Sequence, residues 1–391
     1  MPLLSRHRRH MGVMVAGIFA LLLASNLVPD PLGRFTWRTP LRAEWGFSEK
    51  AQVAMRNLGE FMQDNFGFRA SLPVLRREIR AALASPDTRP IYAGRTGQLF
   101  WGRENAPEQS AGALVRVDQV RRFVEMIGEM NAVLTKRGAR LVVALPPNAQ
   151  SVELEALPAW HDDLAYTRTE YGLALDGMRA LGVTAVDLRA ALRRTPAPRY
   201  LLTDTHWNFR SSLTAFNAAV EAAGHPEWML DPATMIGTAR PVPPGDLLRS
   251  MRMPPQIQDM NFLLRVPLRK FGPDPRLPHH NVFPAFASRV TRFGGDGPRV
   301  LIVGDSYSAL VWPRMFLNSN VSEVGWMHAS RYVLGSCDFD FDNLDRFKPD
   351  LVIYARGERF FTCGPNDWPR NLPRPGPALR AAVAAAVTAA P

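Results

Sequence analysis

The chain has 391 residues, of which 46% are hydrophobic, enough for one large domain or two smaller ones with substantial cores. Its formal net charge of +11 is carried mainly by arginines that are scattered along the chain, without a basic stripe interleaved with aromatics. This pattern argues against nucleic-acid binding but gives a surface that attracts acidic polymers or anionic lipid.

The first predicted element is an apolar segment behind a basic cluster. Residues 6–10 (RHRRH) precede the apolar stretch 11–28, so we expect a cytoplasmic N-terminus and an exported remainder. The stretch is short for a spanning helix, which leaves a cleaved signal peptide as the alternative. We favour an uncleaved signal anchor over residues 1–30, because no clean Ala-x-Ala site follows the apolar core. The predicted location is therefore the periplasm, with anchoring to the inner membrane.

Residues 31–89 are interpreted as a linker and a helical N-terminal region. Apolar side chains recur at near-helical spacing between Glu49 and Gln63, and a second helical pattern covers residues 72–83. The glycine-punctuated stretch 90–100 then predicts a short hairpin.

From residue 115 onward, helical patterns alternate with apolar strands. Helices are predicted over residues 115–137, 166–181 and 209–223, and strands over residues 140–145, 183–188, 199–203, 299–303 and 351–355. Nearly continuous apolar strands separated by helices indicate an α/β fold with a parallel sheet covered on both faces. We assign residues 90–391 to this domain.

Two stretches depart from the alternation. Residues 225–298 are rich in proline and show little periodicity. We interpret them as an ordered excursion within the domain, because structureless loops of such length are uncommon. The alanine-rich stretch 378–390 predicts a closing helix or a frayed tail.

The chain contains two cysteines, Cys337 and Cys363. In an exported chain they can form a disulfide, and the alternative is two separate buried thiols. Their spacing matches no metal-ligand motif, and no Walker or HExxH sequence occurs, so neither a metal nor a cofactor is predicted.

Residues 203–208 (TDTHWN) bring a carboxylate and an imidazole together. Asp204 and His206 are two residues apart, and in an extended segment such residues project to the same side. Asp204 would then orient the His206 ring or stabilise its imidazolium form. The same pattern also suits an ordinary turn with a hydrogen-bonded histidine.

Residues 303–308 (VGDSYS) follow an apolar strand directly. Ligands of open parallel sheets bind beyond the carboxyl ends of strands, and Ser306 is placed there ahead of a helix. Backbone N–H groups at a helix start would stabilise an oxyanion, although the sequence also suits an N-cap serine. With Asp204 and His206, Ser306 completes the residue types of a serine nucleophile.

These motifs resemble the SGNH hydrolase-like O-acetyltransferases of exopolysaccharide export, the alginate acetyltransferases of the AlgJ and AlgX type. The matching stretches are GRTGQLF at 94–100, DTHW at 204–207, GDL at 245–247, GDSYS at 304–308 and PDLVIY at 349–354, followed by Glu358 and Arg359. Gln98 replaces the usual Trp of the first stretch, and Asn148 stands where these proteins often have Lys. We expect an AlgJ-like architecture, because nothing resembling a carbohydrate-binding module follows the catalytic domain.

The resemblance implies Ser306 as nucleophile, His206 as general base and Asp204 as the residue that orients it. It also implies a circularly permuted sheet, because ordinary SGNH hydrolases have the Gly-Asp-Ser motif before the histidine. Tyr307 and Arg359 are candidates for substrate binding, and the alternative for Arg359 is an ion pair with an acidic neighbour, Glu358 or Asp350.

The function implied is transfer of acetyl groups to hydroxyls of an exported polysaccharide. A multi-pass membrane acyltransferase is the expected partner that supplies the acetyl group. Two alternatives stay open from the sequence: a periplasmic carbohydrate acetyl-esterase with the same residues, and a non-catalytic polysaccharide-binding scaffold of an export complex.

Overall fold

The computed structural model describes residues 46–65 and 90–389, with gaps at 159–160, 162–167, 252–257, 268–270, 279–280, 332–336 and 365, and also Gly17 and Ser71. Apart from Gly17, the predicted signal anchor lies outside the described residues, as does most of the region from 31 to 89. The chain divides into two compact units, Met1–Ser85 and Pro86–Pro391. The first contains the helix Phe47–Asn65, within the predicted helical region. Among the described residues, no helix combines the length and apolar character needed to cross a membrane.

The strands in the described part of the second unit are, in chain order, β1 (Ile91–Ala93), β2 (Leu99–Trp101), β3 (Arg140–Ala144), β4 (Thr184–Val186), β5 (Ile236–Val242), β6 (Asp259–Leu264), β7 (Phe271–Gly272), β8 (Arg289–Arg292), β9 (Arg299–Gly304), β10 (Glu323–His328) and β11 (Leu351–Ala355). Its α-helices are Ala106–Ala111, Val117–Lys136, Glu170–Ala180, Leu188–Arg193, Phe209–Ala222, Pro232–Met235, Asp246–Met251, Ser306–Ala309, Asp342–Phe347 and Pro377–Ala389. The predicted hairpin, the three long helices and the closing helix are all present, with shifted ends.

The central sheet has seven strands in the order β4-β3-β11-β9-β10-β8-β7. The first five are mutually parallel, whereas β8 is antiparallel to β10 and β7 is antiparallel to β8. The prediction of a parallel sheet is therefore only partly correct, and the sheet is mixed. Both antiparallel strands come from the proline-rich excursion, and β10 was not predicted at all.

The core lies on both faces of this sheet. Along β3, Leu141 and Val143 belong to one hydrophobic cluster, while Val142 and Ala144 belong to the other. This alternation follows from the two-residue period of a strand and explains why the strands are apolar throughout. The first cluster includes side chains of the 117–136, 170–180 and 377–389 helices, and the second includes the 209–222 helix.

The described part of the 225–298 excursion is built from regular elements. Strands β5 and β6 form an antiparallel pair, and the helix Asp246–Met251 lies between them in the chain. This helix and the Gly245 that precedes it contact the 203–206 segment, because the N–H groups of Leu247 and Leu248 donate to the Thr203 carbonyl at 3.1 and 3.3 Å. The excursion thus contributes directly to the site described next.

Candidate active site

Ser306 lies directly beyond β9, at the carboxyl edge of the sheet. It is the first residue of the helix Ser306–Ala309, whose N-cap is Asp305: the Asp305 carboxylate accepts the Tyr307 N–H at 3.1 Å. The alternative of an N-cap serine is therefore wrong. A Cβ on Gly304 would lie 2.3 Å from Ser308 Oγ and 2.8 Å from the Ala355 carbonyl oxygen, so only glycine fits this corner. Because the helix has four residues, its dipole is small and the expected oxyanion stabilisation rests on individual N–H groups.

Asp204 and His206 lie in a tight turn and not in a strand. Tyr200 and Trp207 form an isolated antiparallel bridge, and the Leu201 N–H donates to the His206 carbonyl at 3.2 Å. The predicted strand over 199–203 and its extended geometry are wrong. The carboxylate reaches the ring because Asp204 Oδ1 accepts the His206 backbone N–H at 3.0 Å, which folds the side chain back over the turn.

This turn places the imidazole between the carboxylate and the hydroxyl. His206 Nδ1 lies 2.5 Å from Asp204 Oδ1, and His206 Nε2 lies 2.8 Å from Ser306 Oγ. With the Nδ1 proton donated to Asp204, Nε2 is available to accept the proton of Ser306. The three residues identified in the sequence therefore form one continuous chain of hydrogen bonds.

The charges within this chain favour an imidazolium at His206. Burial disfavours the Asp204 charge, but the hydrogen bond and charge of His206 outweigh it and hold the pKa of Asp204 at about 2. Burial lowers the pKa of His206, whereas its hydrogen bond with Asp204 and the charges of Asp204 and Asp246 raise that pKa more, so the net shift is upward. The arrangement would therefore stabilise a positive charge on the His206 ring.

Asp246 is a further carboxylate at this turn. Its Oδ1 accepts the Thr205 N–H at 2.8 Å, its Oδ2 accepts the Thr205 hydroxyl at 2.6 Å, and its own N–H donates to Asp204 Oδ2 at 2.9 Å. Ligand atoms of Asp204, His206 and Asp246 lie within 4.8 Å of one another, a spacing compatible with a metal ion. All four carboxylate oxygens accept N–H or O–H groups of the protein, so the hydrogen bonds of the turn account for both carboxylates.

Tyr307 supports the turn from the side of the nucleophile. Its ring centroid lies 4.9 Å from that of His206, and its hydroxyl donates to the Thr205 carbonyl at 2.6 Å. Burial raises the pKa of Tyr307, so the phenol stays protonated and remains a donor. The hydroxyl serves the turn in this arrangement, and a substrate-binding role for Tyr307 stays a prediction.

Arg359 lines a small cleft together with Asp204, Thr205 and Tyr307. Its guanidinium carbon lies 5.7 Å from the ring centroid of Trp101, and its charge lowers the pKa of His206. Among the described residues no ion pair joins Arg359 to Glu358 or Asp350, so that alternative is not supported. The cleft places a cation and an aromatic face beside the reactive groups.

Comparison with known proteins identifies the family. Residues 91–318, more than half of the chain, match the family described as "SGNH hydrolase-like domain, acetyltransferase AlgX". The chain belongs to this SGNH hydrolase-like acetyltransferase family. The match confirms the family predicted from the motifs and makes the protein an enzyme of the O-acyltransferase class.

A search of solved structures finds similar proteins at low identity. The O-acetyltransferase domain of Pseudomonas putida AlgJ is 21% identical, with 77% of this chain and 100% of that chain covered and a TM-score of 0.44. Bacillus cereus PatB1 is 13% identical, with coverages of 70% and 97% and a TM-score of 0.45. Pseudomonas aeruginosa AlgX is 15% identical, with coverages of 69% and 64% and a TM-score of 0.42. No curated protein matches the chain significantly, so the family assignment rests on the sequence match.

The two departures from the pattern of this SGNH hydrolase-like family are both buried. Gln98 is 1% exposed, in the hairpin of β1 and β2. Asn148 is 3% exposed; its backbone N–H donates to Glu358 at 2.7 Å and its side-chain amide donates to Ser110 Oγ at 3.0 Å. Asn148 therefore links the helix Ala106–Ala111 to the turn Glu358–Phe360. Glu358, whose pKa burial raises, is a structural acceptor that sequence reasoning missed.

The cysteines form a disulfide between Cys337 and Cys363, with their Cα atoms 5.5 Å apart. The open choice between a disulfide and two thiols is resolved in favour of the disulfide. The bond lies in the core cluster on the 117–136 side of the sheet and ties the segment after β10 to the segment after β11.

Proposed function

We propose that this protein is an O-acetyltransferase that moves acetyl groups onto hydroxyls of an exported polysaccharide through an acetyl-Ser306 intermediate. The observation that carries the proposal is the unbroken Asp204–His206–Ser306 chain, with bonds of 2.5 and 2.8 Å on either side of the imidazole. Its assembly from two segments a hundred residues apart also argues against a purely polymer-binding scaffold, which needs no such relay.

The reaction has two transfers of the acetyl group. In the first, His206 Nε2 takes the proton of Ser306 as Oγ attacks the acetyl carbonyl of the donor, and the protonated His206 then gives that proton to the leaving group. In the second, a sugar hydroxyl loses its proton to His206 and attacks acetyl-Ser306. Ser306 recovers its proton from His206 as the acetyl group leaves its oxygen. Asp204 accepts the hydrogen bond of the His206 Nδ1–H throughout.

The cleft beside these residues supplies the remaining contacts. The Ser306 N–H, at the start of a helix, has no intrahelical acceptor and is the candidate donor to the tetrahedral oxyanion. The guanidinium carbons of Arg103 and Arg359 each lie 5.7 Å from the centroid of the Trp101 ring, so two cations lie beside this ring. Such a surface suits the polar groups of a sugar, which the two guanidinium groups can meet with N–H donors.

The location and partners belong to the same proposal. The basic and apolar N-terminus supports a periplasmic protein held to the inner membrane by residues 1–30, with residues 31–89 leading to the catalytic domain at 90–391. We propose a multi-pass membrane acyltransferase as the acetyl donor. The order of His206 before Ser306 supports a circular permutation of the ordinary SGNH arrangement.

The first test is Ser306→Ala in the full-length chain, produced in cells that export the polymer. We expect acetylation of the polymer to disappear while the amount and location of the protein stay unchanged. Ser319→Ala is the matched control, because Ser319 lies in a loop where its hydroxyl bonds to the Phe316 carbonyl. Polymer acetylation that persists in the Ser306→Ala variant would contradict the catalytic assignment.

A second measurement separates transfer from hydrolysis. The purified chain is incubated with an activated acetyl ester, with and without an acceptor oligosaccharide. Intact-protein mass spectrometry should detect one acetyl group on the wild type and none on Ser306→Ala. Acetylated oligosaccharide supports transfer, whereas release of free acetate with no labelled sugar would identify an acetyl-esterase.

A further inference from the structure

The Gly245-Asp246-Leu247 stretch belongs to the catalytic site in space although it is about forty residues from Asp204 in the chain. A Cβ on Gly245 would lie 2.3 Å from the Thr203 carbonyl oxygen and 2.4 Å from Asp204 Cβ. Only glycine permits this approach, which brings the next residue, Asp246, against the turn that carries His206.

Asp204 and Asp246 tie the two segments together reciprocally. The Asp246 N–H donates to Asp204 Oδ2 at 2.9 Å, while the Asp246 carboxylate accepts both donors of Thr205, its N–H at 2.8 Å and its hydroxyl at 2.6 Å. Thr205 is the residue between Asp204 and His206. Asp246 therefore holds both the Asp204 carboxylate and the residue that follows Asp204 in the turn.

Asp246 also presents charge to the catalytic ring. Its Oδ2 lies 3.9 Å from His206 Nδ1, on the same edge of the ring as Asp204. The groups that face His206 are the carboxylates of Asp204 and Asp246, the guanidinium of Arg359, the ring of Tyr307, and the neutral hydroxyl groups of Thr205 and Ser306. Among the described residues no arginine or lysine forms an ion pair with Asp246, so its charge is not neutralised there.

We propose that Asp246 is a second positioning carboxylate of the relay, which fixes the 203–206 turn and adds negative charge behind His206. The proposal rests on the proposed acyl-enzyme function. Asp246 acts through His206 and Thr205 and has no contact with the reacting hydroxyl. Its charge favours the imidazolium that forms when Ser306 attacks, and the upward shift of the His206 pKa has the corresponding direction.

The test compares three full-length variants: Asp246→Asn, Asp246→Glu and Thr205→Val. Asp246→Asn removes the charge and keeps the shape, and Asp246→Glu keeps the charge. Thr205→Val removes a neutral hydroxyl that contacts Asp246 Oδ2 at 2.6 Å and His206 Nδ1 at 3.5 Å. The pKa of His206 is measured by NMR of chain labelled at the histidine Cε1, with a His206→Gln spectrum for assignment. This readout needs no catalysis, so it separates failure of this proposal from failure of the proposed function.

A unit charge 3.9 Å away in water changes an equilibrium by roughly sixfold. We therefore expect Asp246→Asn to lower the His206 pKa, and the acid limb of kcat/KM for a chromogenic acetyl ester, by roughly 0.8 pH unit and to reduce kcat by roughly sixfold or more. Asp246→Glu should keep the pKa near wild type while lowering kcat, and Thr205→Val should leave the pKa unchanged.

Two results would overturn the proposal. One is a folded Asp246→Asn variant, judged by its thermal melt, with an unchanged His206 pKa. The other is an equal pKa decrease in Asp246→Asn and Asp246→Glu, which would remove charge as the cause. If Asp246→Asn does not fold, Asp246→Glu decides, because a positioning carboxylate requires this variant to lower kcat while retaining the wild-type His206 pKa; an unchanged kcat would overturn the proposal.

Discussion

Asp204→Asn tests the relay at its most constrained point. Asp204 accepts three N–H groups: the His206 ring and backbone N–H on Oδ1, and the Asp246 N–H on Oδ2. An amide has a single oxygen, so asparagine must turn its NH₂ group toward one of these donors. If the NH₂ faces the ring, His206 keeps its proton on Nε2 and cannot accept that of Ser306; if it faces Asp246, the loop contact is lost.

The structure brackets the size of the effect. The pKa of Asp204 is held at about 2 against an ordinary 3.8, and a decrease of this size corresponds to roughly 2 to 3 kcal/mol, or on the order of 10²-fold in rate. The upper bound comes from a carboxylate and an imidazolium 2.5 Å apart at an effective dielectric constant of about 20, about 7 kcal/mol or roughly 10⁵-fold. We expect the loss of kcat in Asp204→Asn to lie within this range.

The assay is the pH–rate profile of acetyl-ester cleavage by the full-length chain, with Ser306→Ala as the baseline. Asp204→Asn should approach that baseline at every pH where the wild type is active, and its acid limb should move to lower pH because His206 loses the carboxylate that raises its pKa. A folded variant with less than fivefold loss of kcat and an unshifted limb would refute the reasoning.

Two further predictions concern the surroundings of the relay. Replacing both Cys337 and Cys363 by alanine should lower the free energy of unfolding by about 3.5 kcal/mol, because the disulfide closes a loop with a sequence separation of 26 residues. Urea unfolding with and without reductant measures this loss of stability, and a loss below about 1 kcal/mol would contradict the prediction. Arg359→Gln should raise KM for the acceptor more than it lowers kcat. It should also move the acid limb to higher pH, because the guanidinium lowers the pKa of His206, and a limb that moves down would show that Arg359 does not face the ring.

The sequence predicted the elements whose signal is local. Continuous apolar runs located β3, β9 and β11, and glycine stops located the long helices within a few residues. Strand β10 (Glu323–His328) was missed although Val324, Trp326 and Met327 are fully buried, because an apolar run interrupted by glycine resembles a loop in sequence. The short strands β7 and β8 pair only at the edge of the sheet and are defined by tertiary contacts.

In the candidate site, too, the sequence predicted the residue types but not the contacts that depend on the folded chain. The residue types at positions 204, 206 and 306 were identified, but the extended geometry expected for Asp204 and His206 was wrong. Side chains two apart face one side in a strand, whereas here they meet because the Asp204 carboxylate accepts the His206 N–H within a turn. The bond that decides the geometry joins a side chain to the backbone, and residue spacing does not encode it.

Buried carboxylates from distant segments hold the loops of the site. Asp259, 1% exposed, accepts the N–H of Leu202 at 2.6 Å and of Thr203 at 3.2 Å. Asp305, 3% exposed, accepts the N–H of Gly357 at 2.6 Å, which joins the nucleophile corner to the loop of Arg359. Loops at the end of a sheet carry N–H groups that no strand partner satisfies, so a carboxylate brought from elsewhere takes that place.

Glu358 extends this arrangement to the opposite wall of the cleft. It is 1% exposed and accepts the Asn148 N–H at 2.7 Å and the Ser151 hydroxyl at 2.8 Å. The proposed acyl transfer requires Ser306, His206 and the oxyanion donors to keep fixed distances, so it also depends on the carboxylates that hold the loops in place. Their acceptor role requires burial, and burial is a property of the folded chain. For this reason the sequence predicted Asp204, His206 and Ser306 but not the buried carboxylates that hold the surrounding loops.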